Sequence, residues 1–330
     1  MRALITGITG QDGAYLAELL LEKGYEVHGV VRSLRDKSRD HLSDIANRIS
    51  FIAADLSDQV SLDRAVQESR PDEVYNLAGQ TFVPVSWSQP LLTMEATGMG
   101  ALRVLEAIRR HAPSAKFLQV SSSEIFGKTE NGRQTEATRL QPGNPYGAAK
   151  MFAHHMTINY RESYGMFACC CIAFNHESPR RSPEFVTRKV SQQVARIKLG
   201  MASKLKMGNI EACRDWGFAG DYVRAMWMMM QQPQPVDLVI ATGITHSVKE
   251  LLEIAFAHAG LDWKKHVEID PALVRPIEEG PPCGDASKAK KLLGWKPEVS
   301  FKKLVEMMVD FDLSLLSQAA KFTATAVAGD

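Results

Sequence analysis

The chain has 330 residues, of which 45% are hydrophobic and 23% are charged. That length and composition are enough to bury a large core with a smaller domain beside it, so an intrinsically disordered chain is excluded. The 39 basic residues nearly balance the 38 acidic ones, and a net charge of +1 creates no long-range field that would attract nucleic acid or an acidic membrane. An anionic ligand must therefore be held by local contacts.

Neither the cysteines nor the N-terminus indicates export. Three of the five cysteines, Cys169, Cys170 and Cys171, are consecutive, and neighbours in a strand point to opposite faces, which disfavours disulfides among them. The sequence holds no C-x-x-C pair, and we expect no metal site. Met1 leads directly into a short apolar run without the features of a signal peptide, and no later run is long enough to span a membrane. We therefore expect a cytoplasmic protein that binds neither membranes nor nucleic acid.

The first half of the chain alternates apolar runs with helical patterns. The apolar runs predict buried parallel strands at residues 3–6, 27–31, 49–53, 73–77, 116–121 and 168–174. The helical stretches between them, long enough to cross over the sheet, lie at residues 12–23, 61–70, 94–111 and 146–164. This order predicts an α/β fold with a doubly wound parallel sheet of the Rossmann type.

The first predicted strand leads into a glycine-rich turn, where Gly7, Gly10 and Gly13 form a G-x-x-G-x-x-G pattern. Such glycines allow a tight turn, let backbone amides approach a pyrophosphate, and let the following helix pack closely on the strand. An ordinary glycine turn is the alternative. The position at the first strand-to-helix junction of a βαβ unit favours a dinucleotide site.

The end of the second predicted strand indicates which dinucleotide binds. An NAD enzyme usually carries an acidic residue there, whereas this chain has Arg32, Ser33 and Arg35. These side chains can donate charge-assisted hydrogen bonds to a 2′-phosphate, so the sequence favours NADP. A solvated basic loop is the alternative. Asp55, after the third strand, suits the adenine amino group.

Beyond Asn175 the regular alternation stops, and prolines interrupt shorter helical pieces. This pattern suits a smaller, loop-rich α/β domain over the carboxyl edge of the sheet, where substrate specificity would be decided. We predict that residues 1–174 form mainly the NADP-binding domain and residues 175–330 mainly the substrate domain, with about 210–245 returning to the first.

Tyr146 and Lys150 are four residues apart near a predicted helix start, so both project from one face. A tyrosine is a poor base at neutral pH, and a nearby ammonium, together with the positive charge of a nicotinamide, would lower its pKa. A Y-x-x-x-K pattern also occurs by chance, as a half-buried tyrosine with a surface lysine.

The fifth predicted strand ends in Ser121-Ser122-Ser123-Glu124. A general base beside a hydroxyl that binds substrate implies a second proton transfer, of the kind needed to remove a hydrogen next to a ketone. That is the chemistry of a dehydratase. A carboxylate that caps a helix or lies at the surface is the alternative, and the residues alone leave both open.

The chain resembles the GDP-mannose 4,6-dehydratase family, within the extended short-chain dehydrogenase/reductase superfamily, along nearly its whole length. The resemblance rests on residues 7–13, 122–127, 175–181, 185–189, 208–210, 214–217 and 221–223, and on the Tyr146/Lys150 pair. It implies that GDP-mannose loses water while bound NADP is regenerated, in a homo-oligomer that is a dimer or a tetramer. Related possibilities are a GDP-heptose dehydratase, another nucleotide-sugar epimerase or reductase, and a non-catalytic NADP-binding sensor.

The resemblance also implies residue roles. Catalytic positions would be Ser122, Glu124, Tyr146 and Lys150, with Ser122 where the family usually has threonine. Besides Tyr146 and Lys150, NADP contacts would come from Gly7, Thr9, Gly10, Gln11, Asp12, Gly13, Arg32, Ser33, Arg35, Asp55, Leu56, Leu77, Ala78, Gly79, Gln80, Thr81, His176 and Arg181. Substrate contacts would come from Ser123, Asn175, Lys189, Arg214, Arg275 and Glu278. The chain departs from the family pattern at residues 32–41 and 278–284.

Overall fold

The computed structural model describes residues 1–35, 40–128, 132–274 and 283–327. The strands in this part of the chain are β1 (Arg2–Thr6), β2 (Glu26–Val31), β3 (Ile49–Ala53), β4 (Glu73–Asn76), β5 (Lys116–Ser122), β6 (Ala168–Ala173), β7 (Asn175–Glu177), β8 (Leu205–Met207), β9 (Cys213–Arg214), β10 (Trp216–Phe218), β11 (Leu238–Ile240), β12 (His246–Ser247) and β13 (Val267–Ile269).

The α-helices of the same ranges are α1 (Gln11–Glu22), α2 (Gln59–Ser69), α3 (Val83–Ser88), α4 (Pro90–Thr93), α5 (Gly100–His111), α6 (Pro145–Tyr164), α7 (Val186–Lys198), α8 (Ala219–Met230), α9 (Val248–His258), α10 (Trp263–His266), α11 (Ser287–Leu293) and α12 (Phe301–Val327). Short 3₁₀ helices cover Asp40–Leu42, Ala46–Arg48, Ser123–Ile125 and Pro271–Leu273, and a π-helical turn covers Met94–Met99.

Seven of these strands form one parallel sheet in the order β11-β6-β5-β4-β1-β2-β3. The predicted α/β class and doubly wound sheet are therefore confirmed, and each of the six predicted strands is found within one residue of its expected ends. The seventh strand, β11, was not predicted, because three apolar residues give too short a signal. It pairs with β6 and so returns a late part of the chain to the first sheet.

The strand order reverses at β1, which pairs with β2 on one side and with β4 on the other. Helices leave opposite faces of the sheet on either side of this point, so a crevice opens at the carboxyl ends of β1 and β4. Ligands of open parallel sheets bind in such a crevice.

Each face of the sheet is covered by its own hydrophobic core. On one face, Leu16 and Leu20 of α1 pack with Met226 and Met229 of α8, as the amphipathic pattern of each helix requires. The core of the other face is built from apolar side chains of three further helices, namely Leu62 and Val66 of α2, Val104 and Ile108 of α5, and Tyr160 of α6. A third core joins α7, α9 and α12 and includes buried residues of β8 and β10.

One predicted helix differs in its local geometry. The pattern at residues 94–111 predicts a single α-helix, but its first six residues form the π-helical turn Met94–Met99. Thr97 Oγ1 in this turn accepts a hydrogen bond from Gln80 N at 3.1 Å, which ties the wide turn to the segment after β4. Such turns often occur at functional sites. Here Glu95 and Ala96 of the turn face the crevice.

No helix within the described residues combines the length and the apolar character that crossing a membrane requires.

Candidate active site

A cleft of about 660 Å³ lies at the carboxyl ends of β1 to β4. Among the predicted cofactor residues, those that line it are Gly7, Thr9, Gly10, Gln11, Asp12, Gly13, Arg32, Asp55, Leu56, Leu77, Ala78, Gly79, Gln80, Thr81 and Arg181. Lining residues that the sequence did not single out are Thr6, Val30, Val31, Ala54, Ser57, Leu92, Glu95 and Ala96. These residues lie on or directly after β1 to β3, or in and beside the π-helical turn, and they carry no motif of their own.

The glycine turn has the geometry that the sequence predicts. Gly7 has a φ of 72°, which favours glycine, and a Cβ atom there would lie 2.8 Å from Ala78 N. Gly10 is the N-cap of α1 and closes the turn by donating from its amide to Gly7 O at 3.0 Å. The N-terminus of α1 therefore opens directly onto the cleft, in the arrangement that binds phosphate groups.

Two of the basic-loop residues lie outside this lining. Arg32, the first residue after β2, lines the cleft, whereas Ser33 and Arg35 are exposed beside it. Ser33 Oγ accepts a hydrogen bond from Arg35 N at 3.2 Å, so its side chain shapes the loop. The structure thus brings only Arg32 of this set into the cleft.

Asp12 and His176 contact each other. The Nε2 atom of His176 lies 2.7 Å from Oδ2 of Asp12, and its Nδ1 lies 2.7 Å from Phe174 O. Burial raises the pKa of Asp12, but the charge and hydrogen bond of His176 outweigh it and lower that pKa overall. Burial likewise lowers the pKa of His176, and Asp12 reverses the effect and raises it. This ion pair joins the glycine turn to β7.

Gln11 strengthens the same connection. Its Nε2 donates to His176 O at 3.1 Å, and its Oε1 accepts from Ser178 Oγ at 2.7 Å. The side chain of Gln11 is therefore used to hold the two parts of the chain together. Gln11 and Asp12 still border the cleft, whereas His176 is not part of its lining.

Ser122, Glu124 and Tyr146 come together where β5 ends. Ser122 is the last residue of β5, and its Oγ accepts from Glu124 N at 3.2 Å, which caps the 3₁₀ turn Ser123–Ile125. Tyr146 is in the first turn of α6 and hydrogen-bonds with the Ser122 side chain. The turn after β5 and the start of α6 thus bring a hydroxyl, a carboxylate residue and a phenol together.

Lys150 is buried one turn further along α6. Its Nζ donates to Val120 O at 2.8 Å and lies 5.9 Å from the ring centroid of Tyr146. The predicted projection of both side chains from one helix face is confirmed by this arrangement. Burial lowers the pKa of Lys150 to about 8.

The expected effect of Lys150 on Tyr146 is not found among the groups of the chain. Burial raises the pKa of Tyr146 to about 12, and the hydrogen bond with Ser122 and the charge of Arg181 lower it only in part. The Glu124 charge raises it further. Lys150 is not among the main groups that set this pKa in the chain by itself, and its ammonium donates to the Val120 carbonyl. Its effect together with a bound nicotinamide stays a prediction.

A second cavity, of about 280 Å³, adjoins the first. The segment after β4 separates the two, since Thr81 lines the larger cleft and Phe82 the smaller one. Glu124 lines the smaller cavity together with three predicted substrate residues, which are Asn175, Lys189 and Arg214. Other residues of its lining are Val83, Pro84, Glu177, Glu184, Phe185, Val186, Met207, Gly208, Asn209, Ala212, Trp216, Val248 and Leu273.

The cations of this cavity are held by backbone carbonyls. Lys189 Nζ donates to Lys206 O at 2.8 Å, and Arg214 Nη1 donates to Cys213 O at 2.7 Å. Burial lowers the pKa of Lys189. Ser123 is buried and does not contribute to the lining. Arg275 and Glu278 lie outside the described residues.

Sequence reasoning missed Asn144, whose Nδ2 donates to Glu124 Oε2 at 2.7 Å. The signal was present, since an asparagine followed by a proline precedes the Tyr146 helix as a helix N-cap would. Its contact with Glu124 depends on the tertiary structure. Among the described residues, no group of three or more His, Cys, Asp or Glu side chains could hold a metal ion.

The sheet order, the glycine turn at its switch point, and Tyr146 and Lys150 beside Ser122 define a member of the extended short-chain dehydrogenase/reductase class. The chain is similar to the solved UDP-glucose 4-epimerase of Thermus thermophilus, in complex with NAD, with a TM-score of 0.83 and 28% identity; the match covers 94% of this chain and 99% of that one.

Within that class, the family model described as GDP-mannose 4,6 dehydratase matches residues 4–308. GDP-mannose 4,6 dehydratase 1 of Arabidopsis thaliana is 53% identical over 95% of this chain and 90% of the relative. The human GDP-mannose 4,6 dehydratase is 45% identical over 95% of this chain and 92% of the relative. The chain belongs to the GDP-mannose 4,6-dehydratase family.

Proposed function

We propose that this protein converts GDP-D-mannose to GDP-4-dehydro-6-deoxy-D-mannose and water, with NADP regenerated in each turnover. One observation carries the proposal beyond the family: Glu124 lines the smaller cavity, and Glu124 is a neighbour of both Ser122 and Tyr146. A simple reductase requires one proton-transfer group at the reacting oxygen, whereas removal of water requires a second one at the neighbouring carbon.

The larger cleft fits a dinucleotide. The glycine turn and the N-terminus of α1 suit its pyrophosphate, and Asp55 suits its adenine amino group. Asp55 Oδ1 accepts from Ser57 N and Ser57 Oγ, at 2.8 and 2.6 Å, so its other carboxylate oxygen remains for the base. When bound, the nicotinamide supplies a hydride acceptor for C4 of the sugar and a hydride donor for C6.

Arg32 supports NADP over NAD. It lines the cleft at the end of β2, the position where an NAD enzyme would carry a carboxylate for the ribose hydroxyls. A carboxylate there would repel a 2′-phosphate, whereas a guanidinium can donate charge-assisted hydrogen bonds to it.

The smaller cavity suits a GDP-sugar. Lys189 and Arg214 offset the charge of a diphosphate, and the amide of Asn175 offers directional hydrogen bonds. Glu124 lies at the same cavity, so the sugar would extend from these cations towards Ser122 and Tyr146. This arrangement supports our proposal that the residues beyond 175 mainly form the substrate domain.

The first half of the reaction needs a proton acceptor at the 4-hydroxyl. Tyr146 takes this proton at its phenolic oxygen, and Ser122 donates a hydrogen bond to the same sugar oxygen. Because burial holds the pKa of Tyr146 at about 12, ionisation of the phenol requires positive charge from the bound cofactor in addition to Lys150. The sugar then carries a ketone at C4.

The second half removes water. The ketone acidifies the C5 hydrogen, Glu124 removes it as a proton, and the same carboxyl group returns a proton to the departing 6-hydroxyl. When C6 is reduced, C5 takes up a proton, and the proton that Tyr146 took from the 4-hydroxyl is given up in the same step. Glu124 and Tyr146 thereby end each turnover in their starting states.

The experiment that tests this function is an incubation of the purified protein and NADP with single nucleotide sugars. GDP-mannose, GDP-heptose, UDP-glucose and dTDP-glucose are supplied separately, and the product masses are measured. We expect GDP-mannose to lose one water and, in heavy water, to gain deuterium at C5. Loss of water from another sugar with GDP-mannose unchanged would overturn the proposed substrate, and no loss of water from any sugar would favour a non-catalytic sensor.

We further propose that the protein is a cytoplasmic homo-oligomer, either a dimer or a tetramer. Light scattering of the eluted protein tests the assembly, and a mass equal to one chain would contradict it. Cell fractionation tests the location.

A further inference from the structure

Asn144, the residue before α6, uses both ends of its side-chain amide. Its Oδ1 accepts from Gly147 N at 2.8 Å and so caps the helix that carries Tyr146. Its Nδ2 donates to Glu124 Oε2 at 2.7 Å. The orientation of the amide follows from chemistry: a backbone N–H can only donate and a carboxylate can only accept, so oxygen faces Gly147 and nitrogen faces Glu124.

The start of α6 also touches the backbone of the same carboxylate residue. A Cβ atom on Gly147 would lie 2.5 Å from Glu124 O, so the helix approaches this closely only with glycine at that position. Pro145 at the first helical position fixes the backbone between Asn144 and Tyr146. Glu124 and Tyr146 are therefore tied to one rigid helix start.

From this geometry we propose that Asn144 is a positioning residue for the elimination half of the reaction. Its amide fixes Oε2 of Glu124, which leaves Oε1 to take the C5 proton, and it orients that carboxylate relative to the phenol of Tyr146. One helix N-cap thus positions both groups that remove protons, Tyr146 at O4 and Glu124 at C5. This inference rests on the proposed function and specifies how its second proton transfer is aligned.

Two substitutions separate the two contacts. Asn144→Asp keeps an oxygen that can cap α6 and has no donor for Glu124. Asn144→Ser keeps a hydroxyl that can cap α6, but the side chain is shorter and has one polar atom in place of the two that Asn144 uses for its two contacts. The aspartate also sets a second carboxylate against Glu124, and two like charges at this distance disfavour ionisation of the pair. A matched control is Asp58→Ala, which removes the cap of α2, where Oδ1 of Asp58 accepts from Val60 N at 3.0 Å.

The test is a single turnover with NADP and the sugar that loses water in the incubation above. Absorbance of the reduced nicotinamide reports the first half, and deuterium at C5 with product mass reports the second. We expect both Asn144 variants to reduce the nicotinamide at near the wild-type rate. Reduced nicotinamide should then accumulate, because elimination slows by about 10-fold or more. The aspartate variant should be the slower of the two. Asp58→Ala should unfold at a lower temperature and keep both rates.

Wild-type elimination rates in both Asn144 variants would overturn the proposal. Equal slowing of the two halves would also overturn it, because that result assigns Asn144 to the helix cap alone. A wild-type protein that dehydrates none of the sugars would instead refute the proposed function. The two failures are therefore distinguished by the wild-type measurement.

Discussion

At the scale of single residues, the site depends on one short turn. Ser122 ends β5 and caps the 3₁₀ turn that follows, so Glu124 lies two residues from the serine and faces the neighbouring cavity. Tyr146 reaches the same serine from α6. The turn after β5 and the start of α6 thus hold three side chains together, and each can be tested separately.

Glu124→Gln should separate the two halves of the reaction. Glutamine keeps the shape and can still accept from Asn144, but it cannot take a proton, so we expect elimination to fall by about 10² to 10⁴-fold. Partial reduction of bound NADP by the sugar should survive. Product mass and nicotinamide absorbance measure the two effects, and a variant that still loses water at the wild-type rate would contradict the role of Glu124.

Arg32→Ala should weaken NADP far more than NAD. Arg32 lines the cleft, and a lost charge-assisted hydrogen bond of about 1.5 to 3 kcal/mol corresponds to about 10 to 150-fold in affinity. Arg35→Ala is the matched control, because Arg35 lies outside the lining. Calorimetric titration with both dinucleotides measures the difference. Equal losses for NADP and NAD would show that Arg32 does not recognise the 2′-phosphate.

At the scale of elements, the glycine turn and β7 act as one unit. The Asp12–His176 ion pair and the hydrogen bonds of Gln11 connect the start of α1 to a strand more than 160 residues later. The imidazole of His176 also stacks on Tyr222 of α8, with ring centroids 4.6 Å apart. Two parts of the chain that meet at the cleft are therefore held together by side chains at its border.

This pair should make stability depend on pH. His176 has a raised pKa, so its contribution is complete below its ordinary value of 6.5 and is lost as pH rises through the folded-state pKa. Asp12 has a lowered pKa, so its contribution is present above 3.8 and is lost as pH falls through the folded-state pKa. We expect His176→Gln to cost about 1.5 to 3 kcal/mol between these two values and less at alkaline pH.

Denaturant unfolding over a pH series measures this effect. His258→Gln is a matched control, because His258 pairs with Asp310 at 2.6 Å on a more exposed surface, where such pairs contribute little. A loss in His176→Gln that is the same at every pH would contradict the ion-pair interpretation.

At the scale of the whole molecule, the sheet and the segments beyond it enclose two adjoining cavities. The larger borders β1 to β4, and the smaller lies among β7, β9 and α7, with residues 77–84 running past both. The larger cavity is bordered by Arg32 and the N-terminus of α1, and the smaller one by Lys189 and Arg214. We therefore predict that two phosphate-bearing ligands bind side by side.

NADP and GDP should consequently bind together without competing. A ligand at about 100 times its dissociation constant stabilises the folded state by about 2.7 kcal/mol, and two independent ligands should add. Thermal unfolding with each ligand and with both measures this sum. Displacement of NADP by GDP would mean that the two share one cavity.

Much of the fold and part of the site could be predicted from local patterns. Buried parallel strands appear in the sequence as continuous apolar runs. The glycine turn and the Tyr146/Lys150 pair each span only a few residues, so their geometry follows from local backbone conformation. The helix at 61–70 was predicted two residues too short at its start, because Asp58 caps it and extends it to Gln59. Such differences arise where a side chain, rather than the apolar pattern, sets an element's end.

The sequence by itself determined six of the seven strands of the sheet, its glycine turn and the Tyr146/Lys150 spacing, since each depends on residues close together in the chain. Only the tertiary structure decided that β11 joins β6, that Arg32 but not Arg35 reaches the cleft, and that Asn144 holds Glu124. It also decided that burial, rather than Lys150, dominates the pKa of Tyr146. The burial of a side chain and its long-range hydrogen bonds depend on residues that are distant in the sequence. A local sequence pattern therefore cannot predict them.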